Sequence, residues 1–506
     1  MLIGDIPRAA AARFGDKPAV IAPDRTLRFA ELDGLADRFA AALAARGVAP
    51  GDRVTLYGEN GWAWIIAYYG IARAGAVINP VNALLTDREV RFVMEDCGAR
   101  TVVVSAVKAA RLSDALADRP ADMIVYGGSL PGTTGFEDLL AAAEPRPPPL
   151  ADRSADGLST ICYTSGTTGY PKGAMLSHRA VCTNVRMTSV MHGRHESDVV
   201  VTALPCPHVY GNVVMNASVL TGATLVLFPS FEADAIVAAI VRHRATVFEG
   251  VPTMYHYLLQ RPALAEADLS SLRLCTVGGQ TMPVAAMRAV EARMGCPLIE
   301  LWGMTELAGL GTTHPHAGPY RLGSIGVALP FVETRIADID DPARTLGEGE
   351  VGELLVRGPI VMQGYYGRPE ATAEAITADG WLRSGDLARR DTDGFIHIAD
   401  RKKDVILTAG YNIYPAELER TIAAHPAVAM VAVVGIPDAV KGEVPRAFVV
   451  LKAGAAATED DMLLHCRAEL APYKIPRSVR FVEDLPKTST GKVLRRALRA
   501  DSHPDA

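Results

Sequence analysis

The run Tyr163–Gly173, YTSGTTGYPKG, concentrates the groups that a phosphate needs. Gly166, Gly169 and Gly173 let the chain bend tightly, so that several backbone N–H groups can converge on one anion. Thr164, Ser165, Thr167 and Thr168 add hydroxyl donors, and Lys172 adds a positive charge. The spacing is not that of a Walker A loop, in which the lysine comes directly after the second glycine and is followed by serine or threonine. Here Tyr170 and Pro171 separate Gly169 from Lys172. The run predicts a phosphate-binding loop of a different kind.

Such a loop needs regular structure to hold it. The apolar lead into YTSGTTGYPKG reads as a strand. Strand-like RVTLYGEN precedes helical GWAWIIAYYGIARAG, ATLVLFPS precedes DAIVAAIVRHR, and ATVFEGVP precedes TMYHYLLQ. This alternation predicts α/β layers with much parallel sheet. EPRPPPLADRSADG is a Pro-rich connector ahead of the loop. Further on, VETRIADID, GELLVRGPIVM and GFIHIAD read as successive strands, and DRKKD then concentrates charge. Beyond it, AELERTIAAHPAV, VAMVAVVGIP, RAFVVLKAG and RSVRFVEDLP form a compact set of helix and strands. The expected division is a large domain over residues 1–400 and a small one over residues 401–506, with the boundary at Asp400–Lys403.

The bounds agree with a large α/β chain of two domains. A chain of 506 residues is long for one domain, and 49% hydrophobic residues suffice for a sizeable core. The net charge of −6 argues against broad nucleic-acid binding. Seven scattered cysteines without a CxxC pair fit a reducing cytoplasm. No apolar export core stands in MLIGDIPRAAAARFGDKPAV, and AWIIAYYGIARAGAVI is short for a membrane span and broken by Arg73.

The sequence resembles the adenylate-forming superfamily of acyl-CoA synthetases, aryl-CoA ligases, luciferases and peptide-synthetase adenylation domains. YTSGTTGYPKG resembles its phosphate-binding signature, and LPCPHVYGN, VGGQTMP, LWGMTE, GELLVRGP, RSGDLA, DRKKDVILTAGYNIYPAELE and PKTSTGK follow in the family's order. The resemblance covers nearly the whole chain. ATVFEGVPTMYHYLL looks most like bacterial fatty acyl-CoA ligases. The resemblance implies a large N-terminal α/β domain and a small, mobile C-terminal α/β lid. It implies two half-reactions: a carboxylate attacks the α-phosphate of ATP to give acyl-adenylate and pyrophosphate, and the thiol of coenzyme A then displaces AMP.

The family's roles fall on matching positions. Glu306 and the Thr164 hydroxyl match the Mg²⁺ ligands, a hard cation held by few protein oxygens. Thr305 matches an α-phosphate contact, and Glu300, Leu301, Trp302, Gly303 and Met304 match the run along the nucleotide. Trp302 stands where the family usually has a tyrosine stacked on adenine, and an indole can stack as well. Gly278, Gly279 and Gln280 match the adenine-side wall, with Gln280 in place of a smaller residue. Asp386 matches the carboxylate that accepts both ribose hydroxyls, Arg401 a second nucleotide contact and Lys403 the hinge. Lys492 matches the adenylation lysine, and Gly410 with Tyr411 the loop that meets coenzyme A.

His208 matches the gate of the acyl pocket. Val209, Tyr210, Gly211, Val213, Glu249, Gly250 and Gly279 are the expected lining, mostly apolar and without arginine or lysine. Tyr210 is bulky enough to end the pocket at medium chain length. Glu249 is the anomaly: it either faces the pocket and selects a polar or cationic tail or, as expected here, turns away into a structural hydrogen bond. The expected substrate is a medium- or long-chain monocarboxylic acid. An aryl acid, or a carrier protein in place of coenzyme A, stays open, and the family admits a homodimer.

Overall fold

Helix Trp62–Arg73 is buried from Ala63 to its end, as a helix inside a core must be. It carries Tyr68 and Tyr69, whose hydroxyls donate to Asn212 and Asn216 of helix Val209–Thr221 at 3.1 and 3.0 Å. The apolar run in the sequence is therefore a core helix. Among the described residues, no helix is long and apolar enough to cross a membrane. The computed structural model describes residues 1–119, 121–144, 154–164, 171–408, 411–438, 441–487 and 493–500. Ser165, Gly166, Thr167, Thr168, Gly169, Gly410, Lys492 and most of the Pro-rich connector lie outside the described residues.

Two large sheets carry the body. One runs Leu298–Glu300, Leu274–Val277, Val247–Gly250, Val199–Thr202, Thr224–Leu227, Pro18–Ile21 and Thr26–Arg28, parallel except for the last pair. The other runs Gly364–Tyr365, Lys172–Ser177, Leu158–Thr164, Val77–Val81, Arg53–Tyr57, Thr101–Ser105, Asp122–Tyr126 and Thr134–Gly135. Its first two pairs are antiparallel and the rest parallel. Strands Leu158–Thr164 and Lys172–Ser177 thus form a hairpin, and the glycine-rich run is its connection. Helix Ala233–His243 and helix Pro252–Leu259 fill the helical runs read in the sequence.

Strands Glu333–Ala337, Gly352–Arg357, Leu382–Arg390 and Ile396–Arg401 make an antiparallel sheet. A short 3₁₀ turn, Lys402–Asp404, follows it. The C-terminal sheet then sets Ile406–Thr408, Tyr411–Ile413, Val428–Asp438 and Ser478–Phe481 around the strand Gly442–Leu451. Helices Pro415–Ala423 and Glu459–Glu469 cover it. Its apolar core begins at Ile406, whereas the main core of the body extends to Ile396. The architecture is a large N-terminal α/β domain and a small C-terminal α/β domain.

Candidate active site

The strands of the seven-stranded sheet end together at Thr202, Gly250, Val277 and Glu300. Ligands of open α/β sheets bind outside such carboxyl ends. Gly278, buried, and Gly279, exposed, follow the strand Leu274–Val277, and half-buried Gln280 completes the turn. Gly279 has φ +89°, a conformation that excludes most side chains. Leu301, buried, leads into the short strand Trp302–Met304, in which Gly303 is exposed. The 3₁₀ turn Thr305–Leu307 then presents Glu306.

Asp386 and Arg401 are cross-strand partners on Leu382–Arg390 and Ile396–Arg401, so their side chains meet on one face. Arg401 Nε lies 3.1 Å from Asp386 Oδ1. The Trp302 indole N–H donates to Asp386 Oδ2 at 2.7 Å. Trp302 is 9% and Asp386 6% exposed. The indole is thereby fixed edge-on to the carboxylate, a contact that the expectation of stacking alone missed. Nothing in sequence spacing joins positions 302 and 386; only the tertiary fold, which brings two separate sheets together, does.

Glu306 is 7% exposed, and burial pushes its carboxyl above the usual range. The Tyr365 hydroxyl donates to its Oε1 at 2.7 Å and opposes that rise. Lys172 Nζ sits 5.3 Å from the centre of the Tyr365 ring, a cation–π distance. Tyr365 was invisible in the sequence because it sits on a strand of only two residues, Gly364–Tyr365, paired to Lys172–Ser177. Thr164, the last residue of its strand, directs its hydroxyl to the Lys172 carbonyl at 3.5 Å. That strand packs against the Thr305–Leu307 turn. One buried carboxylate and one hydroxyl without a protein-made cage fit Mg²⁺, which keeps phosphate and water oxygens in its shell. No group of three or more His, Cys, Asp or Glu suited to a metal occurs among the described residues.

Glu300 is 3% exposed, and burial pushes its carboxyl up to about 8. The Met282 amide and the charge of Arg420 on the C-terminal domain pull it back down. His208 caps helix Val209–Thr221, its Nδ1 accepting from the Tyr210 amide at 3.3 Å. The loop before it is held by Asn60, whose Nδ2 donates to the Leu204 carbonyl at 2.9 Å and whose Oδ1 accepts from the Cys206 amide at 2.8 Å. A Cβ on Gly211 would stand 2.2 Å from the Pro205 carbonyl oxygen, so the helix closes on this loop only without a side chain there. Val209, Tyr210, Gly211, Val213 and Gly250 are all buried.

Glu249, the one charged residue of the expected lining, has a cationic partner. Arg194 reaches Glu249 Oε1, and both side chains are buried, at 3% and 2% exposure. The Tyr210 hydroxyl donates to Glu249 Oε2 at 3.1 Å, and the Thr276 hydroxyl donates to the same oxygen. Arg194 follows helix His178–Met191, more than fifty positions from Glu249 in sequence, so only the tertiary fold supplies this cation.

The C-terminal domain touches the body near this region. Lys487 Nζ lies 3.2 Å from the Tyr257 hydroxyl on helix Pro252–Leu259. Lys487 also pairs with Val493 across a β-bridge. Lys403, half-buried, lies in the Lys402–Asp404 turn. Tyr411 is exposed and stacks on Tyr473, ring centres 4.8 Å apart.

The family model described as AMP-binding enzyme matches residues 7–366, and that described as AMP-binding enzyme C-terminal domain matches residues 417–492. The chain belongs to the AMP-binding enzyme family. This AMP-binding enzyme is 36% identical to the long-chain-fatty-acid–CoA ligase of Salmonella typhimurium, over 97% of this chain and 93% of that one. It is 37% identical to the indoleacetate–CoA ligase of Aromatoleum aromaticum, over 96% and 94%. ATP-bound MatB from Rhodopseudomonas palustris superposes with a TM-score of 0.91 at 34% identity, covering 99% of each chain. The AMP-binding enzyme is an adenylate-forming ligase of the acid–thiol class, and its relatives span fatty and aryl acids.

Proposed function

We propose that this AMP-binding enzyme converts a medium- or long-chain monocarboxylic acid to its acyl-CoA. An oxygen of the acid attacks the α-phosphorus of ATP, and the bond to pyrophosphate breaks. The thiol sulfur of coenzyme A then attacks the acyl carbon, and the bond to AMP breaks. The reading rests on one observation above the rest: the Trp302–Asp386–Arg401 group has its indole on the strand Trp302–Met304, which pairs with Gly309–Thr313, and the capped helix Val209–Thr221 packs on that same strand Gly309–Thr313. Polar groups suited to a nucleotide and an apolar helix suited to an acyl chain thus flank one strand.

In this reading, Asp386 accepts the ribose hydroxyls while Trp302 and Arg401 fix its two oxygens. Gly278, Gly279, Gln280 and Glu300–Thr305 line the nucleotide, and Ser165–Gly169 with Lys172 hold its phosphates. Glu306 and Thr164 would hold Mg²⁺, which supplies charge to offset that of the phosphates. Lys492 donates to the charge that develops between acid and α-phosphate. His208 forms the gate. Residues 401–506 act as a lid that turns about Lys403, replacing Lys492 by the Gly410–Tyr411 loop for the thioester step.

An aryl acid is the second reading, favoured by the indoleacetate ligase among the relatives. Acyl-CoA formation over straight-chain, branched, aromatic and dicarboxylic acids tests both. Straight-chain acids should lead, and a lead by indoleacetate or benzoate would replace the first reading with the second.

A further inference from the structure

The register of the seven-stranded sheet sets Thr202 beside Glu249 and Glu249 beside Thr276. Side-by-side residues of parallel strands point to the same face, and helix Val209–Thr221 covers that face, since the Tyr210 hydroxyl meets both Glu249 and Thr276. The Glu249 carboxylate takes three donors from the protein: Arg194 on Oε1, Tyr210 and Thr276 on Oε2. A carboxylate so occupied is not a receptor for a polar tail. Tyr210, whose hydroxyl also stands 2.5 Å from that of Thr276, is held at its tip and cannot swing aside without breaking its hydrogen bond to Glu249.

Arg194 meets the same carboxylate from a different segment. It belongs to the connection leading into the strand Val199–Thr202, and its buried guanidinium reaches Glu249 Oε1. Burial draws its guanidinium down to about 10, which leaves it cationic at neutral pH. A buried ion pair is a poor stabilising device, because apolar residues of like volume usually do as well or better. Its position gives it a different use. An apolar tail that reached it would gain no further burial against carbon and would have to displace paired charges.

We propose that Arg194, Glu249, Tyr210 and Thr276 form a polar stop that ends the acyl pocket, so that the acids accepted best have apolar tails ending at Tyr210. The proposal rests on the acyl-CoA ligase reading above and narrows it from medium or long chains to medium ones.

The test measures kcat/KM for straight-chain acids from butanoate to hexadecanoate in wild type, Arg194→Met/Glu249→Leu and Tyr210→Phe. In wild type each methylene should raise kcat/KM by up to about fourfold, and the gain should end abruptly. The double variant removes both charges together and leaves neither unpaired; its optimum should move about two methylenes longer, with the KM for ATP unchanged. Tyr210→Phe keeps the ring and loses the tether, so acids just beyond the optimum should lose several-fold less activity than in wild type. Folding of each variant is checked by thermal melting. If the double variant does not fold, Tyr210→Phe decides alone. A folded variant that retains the wild-type cut-off overturns the stop, and so does a wild-type optimum at hexadecanoate. Absence of acyl-CoA from every acid would instead overturn the ligase reading itself.

Discussion

The indole of Trp302 and the carboxylate of Asp386 meet at 2.7 Å although eighty-four positions separate them in the chain. Asp386 is thus held from two sides, by Trp302 within the body and by Arg401 from the last strand before the Lys402–Asp404 turn. Trp302→Phe keeps an aromatic surface and removes the donor. A hydrogen bond to a charged group contributes about 1.5–3 kcal/mol, so the KM for ATP should rise about tenfold. The KM for the acid should stay unchanged. Asp386→Ala should raise the KM for ATP at least as much. A raised acid KM with an unchanged ATP KM in either variant would move both residues out of the ribose site.

Tyr365→Phe addresses Glu306. The Tyr365 hydrogen bond holds the Glu306 carboxyl lower than burial alone would. Without it the carboxyl protonates at higher pH. The acid limb of the kcat/KM profile should therefore shift upward in pH while the alkaline limb stays. An unshifted acid limb would exclude Glu306 as the group titrating there.

Glu300 gives a stability test with a defined sign. Its folded-state pKa, about 8, lies above the ordinary carboxyl value, so protonation favours the folded state. Its contribution is complete below the unfolded pKa and is lost as pH rises toward about 8. Glu300→Gln keeps the shape and never ionises. The melting temperature of the variant relative to wild type should therefore climb steadily between acidic and mildly alkaline pH. A constant difference would mean that Glu300 ionises at the same pH in the folded and the unfolded chain.

How far the sequence could be read depended on range along the chain. The strand and helix of RVTLYGEN and GWAWIIAYYGIARAG appear as Arg53–Tyr57 and Trp62–Arg73, because local periodicity decides them. The mixed α/β layers and the small C-terminal domain followed from the same local patterns. The antiparallel hairpin around the glycine-rich loop was not separable from the parallel strands, since both are short apolar runs. Tyr365 on Glu306, Trp302 on Asp386 and Arg194 on Glu249 are contacts between distant segments, and no spacing announces them. The buried cation beside Glu249 was out of reach for the same reason: the lining was read from motif neighbours, while Arg194 comes from a different connection. Glu249, expected to turn into a structural hydrogen bond, accepts from Tyr210 and Thr276.

Lys492→Ala tests the lid. The residue follows Lys487, whose ammonium reaches Tyr257 on the body. Loss of one transition-state donor costs about 10²–10³ in rate, so acyl-adenylate formation should fall by that factor. Thioester formation from supplied acyl-adenylate should survive far better. Equal losses in both half-reactions would contradict the exchange of Lys492 for the Gly410 loop.

The central claim is that the enzyme activates a monocarboxylic acid before coenzyme A takes part. Exchange of labelled pyrophosphate into ATP, measured with wild-type enzyme and Mg²⁺ but no coenzyme A, tests it most directly. The account predicts exchange that depends on the acid, is strongest with medium straight-chain acids, and gives way to acyl-CoA and AMP when coenzyme A is added. Exchange without any acid, or acyl-CoA formation with release of ADP and phosphate in place of AMP and pyrophosphate, would contradict it.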